Sequence, residues 1–147
     1  MAEGARYTLD TSALIAYFAD EAGGDWVEDA LRHAAQGRVV AYASFMTYME
    51  VLYRLWRRLG EKSGKAAYLR LKALALRRMD VSEDLVLMAA RIKATHDLSV
   101  ADAWIAATAL LTRSTLVHKD PEFRPLAREL PLLELPLKPS RTPAPRS

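Results

Sequence analysis

The feature that most constrains this chain is the alternation of short β-type runs with helical segments. Tyr7-Thr8-Leu9 reads as a strand that gives way at Asp10 to a helix from Ser12 to Phe18. A helix from Asp25 to Ala35 then leads past Gly37 into Val39-Val40-Ala41-Tyr42, β-branched and aromatic like a buried strand. Met79 to Val81, Thr115 to Val117 and Leu132 to Leu135 are further short strands. Parallel strands need long crossovers, normally helices, so this order predicts an α/β fold with a central parallel sheet of four to five strands. In such sheets ligands bind outside the carboxyl ends of the strands, and Asp10 and Asp120 both fall at such ends.

The helices between them carry their own start signals. Ser44 is placed to cap a long helix ending at Gly60, on which Met49, Leu52, Trp56 and Leu59 form an apolar stripe and Thr47, Arg54 and Arg58 lie opposite. Glu50 shares a stripe with Met46 and Tyr53, at the edge of the apolar surface. After a turn from Glu61 to Gly64, a basic helix is expected to reach about Arg78. Ser82, followed by Glu83 and Asp84, opens another helix ending near His96. Ser99 opens a helix from Val100 to Leu111 that is apolar almost all round, with Asp102 and Thr108 its only polar interior members, which predicts central burial. Asp120-Pro121 starts a short helix with proline at its first position.

The chain of 147 residues fits one domain, 1–135, followed by a Pro-rich basic tail, 136–147, expected to be disordered. The longest uncharged run, Val39 to Met49, has 11 residues, far short of the ~20 that span a bilayer. The start lacks the basic and apolar regions of a secretory signal, so a cytoplasmic location without membrane association is expected. Cysteine is absent, which excludes disulfides, a thiolate nucleophile and thiolate-bound zinc. The net charge of +3 is unevenly spread: the stretch from Arg54 to Arg78 holds nine Lys/Arg and one acid, so it carries +8 and the rest −5. Such polarity suits the steering of a polyanion toward one face, or equally a solvated helical hairpin.

Four carboxylates, Asp10, Glu50, Asp102 and Asp120, occupy positions that a solvated surface explains poorly. Singly, three have ordinary readings: Asp10 and Asp120 as helix caps, Asp102 as the third residue of a Ser99-x-x-Asp102 capping box. Together, a parallel sheet can bring all four to one edge. Like charges ~4 Å apart repel by about 4 kcal/mol per pair at an effective dielectric near 20, so converging carboxylates must protonate or bind a cation. Ligation by oxygen alone favours Mg²⁺ or Mn²⁺, one or two ions, which bind substrate phosphates directly and point to phosphoryl chemistry.

The segments LDTSAL, YMEVLYR, LSVADAWIAATAL and LVHKDPEF resemble the four acidic blocks of the PIN-domain ribonucleases, and most closely their VapC-type toxin members. The likeness covers about Tyr7 to Leu135. It implies a three-layer α/β/α fold, Mg²⁺- or Mn²⁺-dependent cleavage of RNA, homodimerisation and a small cognate antitoxin. Carried over by motif position, Asp10, Glu50, Asp102 and Asp120 become the metal-site and catalytic acids, with Ser12 supporting Asp10 and Thr11 a weaker candidate for that support. His118 stands where many relatives have Thr or Ser, and reads as a packed or supporting histidine or a phosphate contact. Glu122 could act on the metal through water, or simply favour its helix start. Arg54, Arg57 and Arg58 follow Glu50 on the same helix and are the leading phosphate contacts. Tyr53, Trp56 and Tyr68 could stack on bases, with Trp56 also suited to the core or a dimer contact.

Two other functions compete. A non-catalytic RNA-binding or interaction module on this fold would gain by losing the acids. An aspartate-nucleophile phosphotransferase built on Asp10 usually wants a second acid where this chain has Ser12.

Overall fold

The structure is a computed structural model, and it describes residues 1–136. The tail read from the sequence lies outside those residues, apart from Pro136.

Twelve elements alternate as β1 (Arg6–Leu9), α1 (Thr11–Phe18), α2 (Gly24–Ala35), β2 (Val40–Ser44), α3 (Phe45–Leu59), α4 (Glu61–Ala73), β3 (Arg77–Met79), α5 (Glu83–Thr95), α6 (Val100–Thr112), β4 (Thr115–His118), a 3₁₀ helix (Pro121–Leu126) and β5 (Leu132–Glu134). The strands form one sheet in the order β3-β2-β1-β4-β5, and every pairing is parallel. This is the expected α/β/α arrangement with five strands. From β1 the chain builds outward through β2 and β3, then returns to the other side of β1 for β4 and β5. The order therefore reverses between β1 and β4, where a crevice opens at the carboxyl ends of the strands.

Alternation along each strand divides the core. Leu9, Ala43 and Val117 face one side and pack with Leu14, Val27, Val51, Leu55 and Leu71 from α1 to α4. Leu116 faces the other side and packs with Leu85, Ile92, Ile105, Phe123 and Leu126 from α5, α6 and the 3₁₀ helix. Helix α6 is buried through most of its length, as its composition requires.

Three expectations need correction. The buried face of α3 is Thr47, Tyr48, Val51 and Leu55, while Met49 is 52% and Leu59 57% exposed. The apolar spacing of Met49, Leu52, Trp56 and Leu59 is real but belongs to the outer side. Thr47, assigned to the polar face, is buried because its hydroxyl faces Thr11 next to the site. Trp56, 40% exposed, is no core residue; it flanks α4, whose Lys65 ammonium lies 5.2 Å from the centre of its ring.

The turn after α3 is shorter than expected. Gly60, at φ 95°, makes it alone and α4 starts at Glu61. Gly64 is thus a helical residue where α3 and α4 touch backbone to backbone: a Cβ there would stand 2.7 Å from the Trp56 Cα. The third strand lies earlier than Met79 to Val81 because Arg77 to Met79 register with Tyr42 to Ser44 of β2. As an edge strand carrying two arginines, it resists pairing with other chains.

Candidate active site

Each acid is delivered to the carboxyl edge by a helix start. Asp10 continues from β1, its N–H donating to the Val117 carbonyl of β4 at 3.0 Å. Its side chain then caps α1: Oδ2 accepts from the Ser12 N–H at 3.1 Å and the Ser12 hydroxyl at 2.5 Å. The same hydroxyl oxygen accepts from the Lys119 N–H at 2.9 Å. Ser12 therefore ties the loop after β1 to the loop after β4 across the crevice, and supports Asp10 while doing so.

Glu50 comes from the second turn of α3, and its Oε1 accepts from the Thr11 hydroxyl at 2.7 Å. The Thr11 hydroxyl thus serves Glu50, while the Thr11 backbone N–H favours the Asp10 carboxylate. Asp102 sits in the first turn of α6, where its N–H donates to the Ser99 hydroxyl at 3.1 Å. This bond uses the backbone and leaves the Asp102 carboxylate free for the cluster. Asp120 caps the 3₁₀ helix by accepting from the Glu122 N–H at 2.9 Å.

Capping and clustering thus coexist. Asp102, Asp120 and Glu122 each offer a carboxylate oxygen within 4.8 Å of the others'. Asp10 is buried and its carboxyl is pushed up to about 6, chiefly by desolvation, against the pull of the Ser12 bonds; Glu50 adds to the rise. Asp102 is pushed up to about 7 by desolvation and then by Asp10, Asp120, Glu50 and Glu122 in turn. The four other acids therefore all act on this one carboxyl group. Small side-chain rotations would bring the trio within the span of about 4.2 Å that opposite oxygens take on a divalent cation with bonds of ~2.1 Å. Glu122, given a minor place from the sequence, belongs to the same trio. An Asp-Pro-Glu start signalled it, because a proline at the first helical position aims the next side chain from a fixed turn.

Two other expected residues separate. His118 is wholly buried on the far face of β4, edge-on to Phe123 with ring centres 5.3 Å apart, and burial lowers its pKa. Neither ring nitrogen has a hydrogen-bond partner among the described residues. Of the readings offered for it, packing holds and phosphate contact does not, since no ring atom reaches solvent. The arginines lie on the other flank. Ile15, Tyr53, Arg54, Arg57 and Arg58 line a hollow of about 370 Å³ beside Glu50. Burial opposes the charge of Arg54, yet Tyr53, Glu50 and Asp10 hold its guanidinium above the usual value. Arg57 lies over the Tyr53 ring at 5.4 Å, and Arg58 pairs with Glu21 at 3.1 Å.

A family model for the PIN domain matches residues 7–129, which contain all five acids. The chain belongs to the PIN domain family. The fold is shared with solved VapC-type proteins. The VapBC2 complex from Rickettsia felis, bound to a promoter DNA fragment, superposes with a TM-score of 0.70 at 18% identity, covering 89% of this chain and 99% of that one. DNA-bound VapBC from Salmonella typhimurium gives 0.70 at 16%, covering 88% and 98%. VapC20 from Mycobacterium tuberculosis, a sarcin–ricin loop cleaving toxin, gives 0.64 at 24%, covering 84% and 95%. No curated protein matches the sequence. Among the described residues of this PIN domain, no helix is long and apolar enough to cross a membrane.

Proposed function

We propose that this PIN domain is a metal-dependent endoribonuclease that hydrolyses RNA phosphodiester bonds, and that it is the toxin of a type II toxin–antitoxin pair. The observation that carries the proposal is Asp102, whose carboxyl is pushed up to about 7 by burial and by four neighbouring acids. A fold that needed only caps would not gather five carboxylates at a strand-order reversal, since each added charge costs stability. A divalent cation turns that cost into binding. The toxin part rests on the likeness to VapBC complexes, and a cognate antitoxin, a homodimer and a cytoplasmic location belong to the same reading.

In this mechanism Asp102, Asp120 and Glu122 would hold Mg²⁺ or Mn²⁺, with Asp10 and Glu50 closing the site from α1 and α3. An ion held there would supply a water of lowered pKa and would offset charge on the attacking and leaving oxygens. Ser12 fixes the direction of the Asp10 carboxylate, and Thr11 that of Glu50. Arg54, the cation held by Glu50 and Asp10, takes the phosphate next to the scissile one, with Arg57 and Arg58 following the backbone outward. VapC20 is a sarcin–ricin loop cleaving toxin, which favours RNA as the substrate.

The test is cleavage of structured RNAs with Mg²⁺, with Mn²⁺ and with chelator, comparing the wild type with Asp102→Asn. Metal-dependent cleavage that Asp102→Asn removes is the expected result. Undiminished cleavage by that variant, with the fold intact, refutes the assignment. Absence of divalent-ion binding by calorimetry would return the chain to the non-catalytic RNA-binding reading.

A further inference from the structure

Helices α1 and α3 both start at the acidic site, and the hollow of about 370 Å³ opens one to two turns further along them. Ile15 stands four residues after Thr11 on α1, and Tyr53, Arg54 and Arg57 stand three, four and seven residues after Glu50 on α3, the spacings that keep side chains on one helix face. The bond of 2.7 Å between the Thr11 hydroxyl and Glu50 joins the two helices at the end nearest the acids. Tyr53 lies only ~4.5 Å along the helix axis from Glu50, so the hollow is within one nucleotide's reach of a phosphate at the acids. Its lining is one aliphatic side chain, one phenol ring and three guanidiniums. A backbone phosphate is held by charge and needs neither the ring nor the aliphatic wall. A nucleobase uses both, with polar groups at its edge.

The three guanidiniums are differently engaged. Arg54 is held by Glu50 and Asp10 beside the acids, and Arg58 is paired with Glu21 at 3.1 Å. Arg57 makes no ion pair among the described residues; its guanidinium rests over the Tyr53 ring, 5.4 Å from the centre. Stacking of a base on an aromatic ring is stronger than an exposed cation–π contact, so an entering base takes that face and Arg57 turns to its edge. The donors then select the base, because a guanidinium donates and never accepts. Guanine sets two acceptors, O6 and N7, side by side on its Hoogsteen edge, where an arginine fork bonds both; adenine has an amino donor beside N7 and meets donor with donor. Cytosine has adjacent acceptors on its Watson–Crick edge, but its single ring covers less of Tyr53. We propose that the hollow is a guanine pocket, in which Tyr53 stacks on the base adjoining the scissile phosphate and Arg57 reads its O6 and N7 edge. The pocket's place beside the scissile bond rests on the endoribonuclease reading. Arg57 is thereby moved from the backbone to the base, and Arg54 and Arg58 are left to the phosphates.

The experiment is fluorescence anisotropy of the full chain with uridine RNA octamers that carry one central guanosine, 7-deazaguanosine, adenosine or cytidine. Chelator is present, so binding is read without cleavage, and circular dichroism confirms the fold of each variant. The guanosine octamer is expected to bind at least about tenfold tighter than the adenosine one. The 7-deazaguanosine octamer, with C–H in place of N7, should lose most of that roughly tenfold advantage. Arg57→Lys keeps the charge and loses the fork, so the preference should shrink to within about threefold while the all-uridine octamer binds within about threefold of wild type. Tyr53→Leu should weaken every octamer by about tenfold, since stacking tolerates any base. Equal affinity for guanosine and adenosine, a preference for cytidine, or failure of every octamer to bind overturns the proposal. A guanosine preference that survives both 7-deazaguanosine and Arg57→Lys overturns it equally. The nuclease reading fails separately, by the absence of metal-dependent cleavage while the guanosine preference stands.

Discussion

Helix α6 carries a polar cluster at each end, and the two are built on opposite principles. At its carboxyl end Thr112 joins Thr8 and Ser114: the Thr8 and Ser114 hydroxyls lie 2.6 Å apart, and those of Thr112 and Ser114 2.9 Å. The Thr112 hydroxyl also donates to the Thr108 carbonyl at 2.8 Å. Every member is neutral and partnered, so the cluster closes on itself and has nothing left to offer a ligand. At the amino end, Asp102 meets four acids and no cation among the described residues balances it at close range. One end of the helix is finished by folding and the other is left strained by it. The lesson is that burial of polar groups by itself does not mark a functional site, whereas the crowding of like charges does.

If that contrast is right, removing a charge from the amino end should cost activity and raise stability. Asp102→Asn is expected to lower RNA cleavage by about a thousandfold or more, since a metal ligand and its charge are both lost. Without divalent ions the same variant should melt at a higher temperature than wild type at pH 8, because a source of repulsion has gone. Differential scanning calorimetry in chelator checks this, and a lower melting temperature would show that Asp102 is a structural residue.

The next effect is a dependence on pH. Asp10 and Asp102 stand at about 6 and about 7 when folded, above the ordinary 3.8. Between pH 4 and 7 the folded chain therefore binds more protons than the unfolded one, and unfolding releases them. The stability these two groups contribute is fully present below pH 4 and is lost as pH rises through 6 and 7, by roughly 3 kcal/mol for the buried Asp10 alone. Chemical denaturation in chelator should show this loss, and saturating Mg²⁺ or Mn²⁺ should abolish it. The neutral cluster at the other end contributes no such slope.

The fold was legible because its signals are local: turn residues, β-branched runs and the serine caps at Ser44, Ser82 and Ser99 all accept the bonds expected of them. The convergence of Asp10, Asp102 and Asp120 was legible for a related reason, since strand ends and helix starts in a parallel sheet share one edge. The outer face of α3 was not, because Met49, Leu52, Trp56 and Leu59 have good helical spacing and only tertiary packing chooses between two such stripes. The Thr11 hydroxyl's bond to Glu50 was not legible either, because that partner lies 39 residues away. His118 gave no sign of its direction, which depends on which face of β4 the helices α5 and α6 cover.

Support for the acids should matter next. Ser12→Ala removes the hydroxyl that Asp10 and the Lys119 N–H share, and leaves that N–H without its partner. Metal affinity, read by calorimetry with Mn²⁺, is expected to fall by about 10- to 100-fold, the usual effect of removing a group that orients a ligand. An unchanged affinity would mean that the Asp10 carboxylate needs no orientation.

The smallest effect belongs to the neutral end. Thr112→Val removes a hydroxyl bonded to the Thr108 carbonyl and to Ser114 while keeping the shape of the side chain. The cost in stability should be about 1–2 kcal/mol, because the Ser114 hydroxyl loses one of its two close hydroxyl contacts in a buried place. Urea unfolding gives the value, and it should be the same at pH 5 and pH 8, since no member of the cluster titrates in that range. Metal affinity and cleavage rate should stay at the wild-type level. A loss of activity beyond what the stability change explains would mean that α6 transmits strain from its hydroxyl end to Asp102, and that its two ends are not independent.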